Sequence, residues 1–169
     1  MNPVLDAWNN ADLVEATQAM LACCGAQHWA DQMVGIRPIS NIAALSEAAD
    51  RIWATMQESD WLEAFARHPR IGERRASSAS EESAAWSKQE QAGTTTAAQT
   101  TLRKLAEGNA LYEQRFGFTY IVCATGKSAD EMLAILQRRL TNTRVAELRE
   151  AAEQQRQIMQ IRLGKWLVS

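Results

Sequence analysis

Apolar residues recur along this chain at every third or fourth position, in one segment after another, which is the spacing of amphipathic helices. After a short arm, Asn10 can cap a helix from about Ala11 to Cys24, with Leu13, Ala16, Met20 and Cys23 near one face and Gly25 as its stop. A second, short helix fits Ala26 to Val34, and Gly35-Ile36-Arg37-Pro38 breaks it. Ser40 opens a third, roughly Asn41 to Met56, with Ile42, Leu45, Ala49, Ile52 and Trp53 on its apolar side. A fourth begins near Ser59-Asp60, where Asp60 and Glu63 have capping-box spacing, and carries Trp61, Leu62 and Phe65 up to His68. Beyond a loop of small and polar residues, Ser78 with Glu81 reads as a capping box for a helix through Trp86 to about Gln91. Thr94-Thr95-Thr96 then starts a longer helix, about Ala97 to Arg115. Its predicted buried stripe is Leu102, Leu105, Ala106, Leu111 and Tyr112, and Gly108 weakens its middle. Ser128 and Glu131 form a further capping box for a helix to Leu140. A last helix spans about Arg144 to Leu163 with Leu148, Ala152, Ile158 and Ile161 inward.

One stretch departs from this period. Phe116-Gly117-Phe118-Thr119-Tyr120-Ile121-Val122-Cys123-Ala124 is β-branched and aromatic and reads as a buried extended segment. A lone extended segment has no sheet partner, so helix ends and side chains must satisfy its backbone, or part of it is helical. The pattern therefore predicts an all-α single domain over residues 1–169, with about eight helices and one buried extended segment near 117–124.

Composition narrows the function classes. Apolar residues make up 46% and charged residues 22% of 169, with a net charge of -2, a balance that gives no electrostatic footprint for nucleic acid or an anionic membrane. No apolar run approaches the roughly 18 residues of a membrane span. Met1 to Asp6 shows no basic region followed by an apolar stretch, so no secretory signal is expected. Of three cysteines, Cys23 and Cys24 are adjacent and Cys123 is distant; this spacing makes neither a disulfide framework nor a zinc site, and a reducing, cytoplasmic setting is the simplest expectation. The two histidines, His28 and His68, are far apart in sequence, so no His-rich metal centre is expected.

Four places could carry chemistry. His68 precedes Pro69, so its imidazole belongs at a helix end, where it can exchange a proton inside a cleft or simply cap its own helix. Arg67 and Arg70 flank it, and either tune its pKa or face solvent. In Ser87-Lys88-Gln89-Glu90-Gln91, the residues Ser87, Glu90 and Gln91 fall at i, i+3 and i+4 and share one face, which is a hydrogen-bonding platform or an ordinary solvated surface. Tyr120, Ile121, Val122, Cys123 and Ala124 could offer backbone groups to a planar heterocycle, or be plain core. Arg162, beside Ile158 and Ile161, is either a buried arginine needing an anion or one lying along the surface. Gly126-Lys127-Ser128 lacks the earlier glycine of a phosphate loop, Ile121 standing five before Gly126, and reads as a helix stop followed by a cap.

His68-Pro69-Arg70-Ile71-Gly72, Ser87-x-x-Glu90-Gln91-x-Gly93 and Phe116-Gly117-Phe118-x-Tyr120-Ile121-Val122-Cys123-Ala124, in this order and spacing, resemble the 2-oxo-4-hydroxy-4-carboxy-5-ureidoimidazoline (OHCU) decarboxylase family. Arg139-Leu140-x-Asn142 and Ile161-Arg162-Leu163 extend the resemblance over essentially the whole chain. It implies an all-α homodimer that converts OHCU to (S)-allantoin and CO2 in urate breakdown, with no cofactor and no metal. It implies His68 as proton donor with Glu90 beside it, and Pro69 as part of the pocket. It further implies Ser87, Lys88, Gln89, Glu90 and Gln91 as the substrate-binding helix, residues 120–124 as the stretch whose backbone meets the ring, and Arg162 as a further contact. The chain departs from the family pattern in its Ser/Ala-rich 76–85 link, in Thr119 where a proline is frequent, and in lacking a peroxisomal ending. Two other readings remain open: a non-catalytic helical binding module, and a different cofactor-free lyase or hydrolase of ureides.

Overall fold

In a computed structural model, residues 1–71, 80–94 and 97–169 are described, and among them the chain forms nine α-helices, one short 3-10 turn and no strand. The helices are α1 (Pro3–Asn10), α2 (Leu13–Cys23), α3 (Gln27–Gly35), α4 (Ile42–Trp53), α5 (Glu58–Ala66), α6 (Glu81–Glu90), α7 (Gln99–Phe116), α8 (Ala129–Arg139) and α9 (Arg144–Trp166). They group into two compact units, one of Met1–Ala64 with Arg156–Ser169 and one of Phe65–Gln155. No helix among the described residues is long and apolar enough to cross a membrane.

The first unit differs from expectation at its start. The predicted arm is a helix: Asn2 caps it by accepting from the Leu5 N–H at 3.0 Å, and Pro3 occupies the first turn, where a missing N–H costs nothing. Asp12, not Asn10, caps α2. Leu13 is 69% exposed, whereas Ala16, Met20 and Cys23 are buried as predicted. Asn41, not Ser40, caps α4, and Asp60 lies inside α5, where its carboxylate accepts from the Gln57 N–H. Tryptophans anchor this unit: Trp8 donates to the Ala16 carbonyl at 3.0 Å and Trp29 to the Ala49 carbonyl at 3.2 Å. Trp8 also meets Trp166 edge-on at 6.0 Å, and Asn2 Nδ2 donates to the Leu167 carbonyl, so the two ends of the chain are bound together.

Within the second unit α7 and α8 pack face to face. Gly108 faces α8: a Cβ at this position would come within 2.6 Å of Leu136 Cδ2, and that side chain would have to turn aside to admit it. The buried face of α7 is rotated from the predicted stripe. Leu105, Gly108, Asn109, Tyr112 and Phe116 point inward, while Ala106 is exposed and Leu111 is 57% exposed. The Ser128–Glu131 capping box forms as read. The proposed cap Ser78 lies outside the described residues, and α6 is capped by Ser80, which accepts from the Ser83 N–H.

The extended segment is buried and strandless as predicted, and side chains bond several of its backbone groups. Arg139, fully buried, donates to the Ile121 carbonyl at 2.5 Å and to the Glu147 carboxylate at 2.7 Å through Nε. Tyr112 donates its hydroxyl to the same carboxylate at 2.5 Å, and Asn142 donates to its other oxygen at 2.9 Å. The guanidinium also lies over the Tyr120 ring at 4.9 Å. Burial, the largest single influence, works against the Arg139 charge, but the bond and charge of Glu147 together with the nearby Tyr112 and Tyr120 hydroxyls outweigh it and hold Arg139 above its ordinary pKa. Burial pushes the Tyr112 and Tyr120 hydroxyls well above the usual phenol range, so both stay neutral donors.

Arg139→Met should therefore leave Glu147 as an uncompensated buried charge and lower the unfolding free energy by about 3–5 kcal/mol in urea titrations; a loss below about 1 kcal/mol would show that this pair does not hold the segment. In the first unit, burial pushes the Cys24 thiol up to about 12 from an ordinary value of 9.0, with nearby Arg162 pulling the other way. Because the folded pKa is the higher one, Cys24 contributes stability that is complete below about pH 9 and is lost as pH rises toward 12. Subtracting the stability–pH curve of Cys24→Ala from that of the parent should give a difference that is flat below pH 9 and falls above it. A flat difference throughout would contradict that placement.

Candidate functional site

The site residues read from the sequence divide between the two units. His68, Pro69, residues 87–91 and residues 120–124 lie in the second; Arg162 lies in the first. Arg162 is a buried arginine, 2% exposed, and donates to the Ala22 carbonyl at 3.4 Å.

His68 follows the end of α5, its N–H bonded to the Phe65 carbonyl at 3.2 Å. Phe65 fixes that end, because its ring packs against Phe118 at 5.4 Å, inside a cluster with Tyr112, Phe116 and Tyr120. Pro69 is buried and His68 half-buried. Arg70 binds Glu113 through two bonds, Nε at 2.6 Å and a terminal nitrogen at 3.0 Å, and so ties the turn to α7. The imidazole itself is bonded from a residue outside the candidates read from the sequence. His68 Nε2 lies 2.7 Å from Gln155 Oε1, on α9.

The face of α6 turns inward as its spacing allows. Ser87, Glu90 and Gln91 are 2%, 7% and 9% exposed, whereas Lys88 and Gln89 are exposed and point away. What seats this helix end is Gly93. A Cβ there would lie 2.3 Å from the Lys127 carbonyl oxygen, so the chain after Gln91 runs directly against the backbone that follows the extended segment. The segment is tied in turn to α9 and to its own end: Gln154 Oε1 accepts the Cys123 N–H at 2.8 Å, and Lys127 Nζ donates to the Cys123 carbonyl at 2.6 Å. Lys127, set aside as a failed phosphate-loop lysine, is thus a brace for this backbone.

Consecutive residues of α9 therefore hold the imidazole and the extended segment, and both were missed. One signal existed. Gln155 stands seven residues after the inward Leu148, two helical turns on, so it is a polar residue on an apolar stripe. The second unit also contains a cavity of about 440 Å³ lined by Arg70, Ile71, Leu102, Asn109 and Glu113 among others; none of the residues read as catalytic or substrate-binding lines it. Among the described residues no group of three or more His, Cys, Asp or Glu side chains could hold a metal ion. An imidazole oriented at one ring nitrogen can exchange a proton, and the same unit buries the hydroxyl, carboxylate and amide of Ser87, Glu90 and Gln91.

Comparison with known proteins agrees with the resemblance. The model of the OHCU decarboxylase family matches residues 9–164. The uric acid degradation bifunctional protein TTL of Arabidopsis thaliana is 39% identical over 145 residues, which are 85% of this chain and 44% of that protein, so the chain spans less than half of that relative. A 2-oxo-4-hydroxy-4-carboxy-5-ureidoimidazoline decarboxylase of Haloferax volcanii is 24% identical over 129 residues, 76% of this chain and 74% of the relative. Among solved structures, an OHCU decarboxylase crystallised in the presence of (S)-allantoin superposes with a TM-score of 0.76 at 33% identity, covering 88% of this chain and 96% of that one. An (S)-allantoin synthase at 18% identity and a TM-score of 0.71, covering 96% of this chain and 53% of that one, shares the fold. With the family model matched from residue 9 to residue 164, the chain belongs to the OHCU decarboxylase family.

Proposed function

We propose that this protein decarboxylates OHCU to (S)-allantoin and CO2 in the breakdown of urate, without a cofactor, as a homodimer. The observation that carries this reading is the inward face of α6: Ser87, Glu90 and Gln91 are buried in the same unit as His68, in a chain of this family. A solvated helix face, the plain alternative for this triplet, would leave all three exposed.

The chemical problem is the electron pair left when CO2 departs. The ring C=N adjoining the carboxylate-bearing carbon accepts it, provided that the breaking bond stands perpendicular to the ring plane. Loss of CO2 then gives a C=C bond between the hydroxyl-bearing carbon and the ureido-bearing carbon. A proton added to the ring nitrogen and one added to the ureido-bearing carbon, with one lost from the hydroxyl, complete allantoin. The net proton comes from solvent. Stereochemistry is set at the ureido-bearing carbon, by the face from which its proton arrives.

His68 as imidazolium delivers that proton. The Glu90 carboxylate favours the charged form of the ring, as a neighbouring anion does. Ser87 and Gln91 hold ureido and ring amides, and backbone groups of residues 120–124 line the ring. Pro69 forms part of the wall. A positioned acid contributes roughly 10²–10⁴ in rate, and alignment contributes separately.

With freshly generated OHCU, His68→Ala should lose about 10²–10⁴ in the enzymatic rate and release allantoin without optical activity. Enantiopure (S)-allantoin formed at the parent rate would remove His68 from this role. Glu90→Gln keeps shape and removes charge. Its alkaline limb of kcat/KM should move to lower pH, because the imidazolium is less favoured, and an unmoved limb would sever Glu90 from His68. A helical module without catalysis predicts no OHCU turnover by the parent protein at all, and a panel of other ureides separates a different lyase or hydrolase.

A further inference from the structure

The side chain that meets the His68 ring nitrogen is an amide sealed from water. Gln155 is fully buried, and its Oε1 lies 2.7 Å from His68 Nε2. An amide oxygen only accepts, so the ring presents an N–H at that point. The other end of the same amide, Gln155 Nε2, is buried with no hydrogen-bond partner among the described residues. Nothing at that end sets the orientation of the amide, so its bond to His68 does. Turned the other way, the NH2 would face ring Nε2. That pairing suits only the neutral ring protonated at Nδ1, and against imidazolium it sets donor against donor.

We propose that Gln155 is the positioning residue of the reaction: it holds His68 by Nε2–H throughout the cycle and so makes Nδ1 the nitrogen that gives up and regains the transferred proton. The proposal rests on His68 being the proton donor. The bookkeeping of atoms is simple. Imidazolium gives its Nδ1 proton to the ureido-bearing carbon, whose electron pair forms the new C–H bond. The ring is left as the neutral Nε2–H tautomer, already bonded to Gln155, so no rotation or tautomer exchange follows the transfer. Nδ1 then takes a proton from solvent or from the substrate hydroxyl. The neighbouring residue adds the second half of the arrangement. Gln154 holds the Cys123 N–H at 2.8 Å, so one rigid length of α9 fixes the spacing between the acid and the backbone proposed to carry the ring.

The chain has only two histidines, and His28 is exposed, so in a His28→Gln background His68 is the sole imidazole in a nitrogen-15 histidine NMR spectrum. The neutral ring should appear as the Nε2–H tautomer. Gln155→Met should blur that preference toward the mixture of free imidazole and lower kcat about 10–100-fold, with KM changed less than about twofold. Gln155→Glu keeps an oxygen acceptor in place and should restore both the tautomer and most of kcat. Gln155→Asn, one methylene shorter, should behave as the methionine variant and replaces it if that protein does not fold. An unchanged tautomer and kcat in a folded Met or Asn variant, or a Glu variant no better than Met, overturns the proposal. His68→Ala separates the two ideas: full stereoselective activity there overturns the donor reading itself, whereas an inactive His68→Ala beside a fully active Gln155→Met overturns only the role of Gln155.

Discussion

An extended, apolar stretch inside an all-helical protein poses a hydrogen-bonding problem, and the buried Arg139–Glu147 pair answers a central part of it. Helices satisfy their own backbones; residues 117–124 do not. Arg139 brings a charge-assisted donor to the Ile121 carbonyl, and Glu147 keeps that charge tolerable out of water. Tyr112 and Asn142 fill the remaining acceptor positions on the carboxylate. Once this network is in place, the aromatic cluster around Phe118 and Tyr120 has a fixed backbone to pack on. That cluster holds Phe65, and Phe65 sets where α5 ends and where His68 begins. The same interaction that resolves a local polarity problem thus determines the placement of the imidazole.

The site is then assembled by three tertiary devices acting at short range. Gly93 seats the end of α6 on the Lys127 backbone, Lys127 braces Cys123 from one side, and Gln154 braces it from the other. Each is a contact between a side chain, or an absent one, and a backbone group.

Local signals were legible and tertiary ones were not. The Ser128–Glu131 box could be read because both partners lie within one helical turn. The Ser87, Glu90 and Gln91 face could be read as a face, but only the approach made possible by Gly93 decides that it turns inward. The phase of α7 was misjudged because apolar residues were weighted. Leu111 is exposed, while Asn109 and Gly108 are buried, Gly108 against Leu136. Gln155 was missed for the same reason: a polar residue on an inward stripe breaks the pattern that locates the stripe. The first helix was missed although Asn2-Pro3 is itself a start signal, an N-cap followed by a first-turn proline. Family resemblance supplied the candidate residues; it did not supply the residues that hold them.

The bond from Asn2 to the Leu167 carbonyl and the edge-on meeting of Trp8 with Trp166 have a topological consequence. Residues 65–155 leave and re-enter a unit whose own two segments are joined at the chain ends, so the second unit is an insertion within the first. A short peptide from Ser169 to Met1 would close the chain into a ring without displacing a helix. A circular permutant opened elsewhere, in an exposed turn such as Thr125-Gly126, would keep every helix in its native neighbourhood.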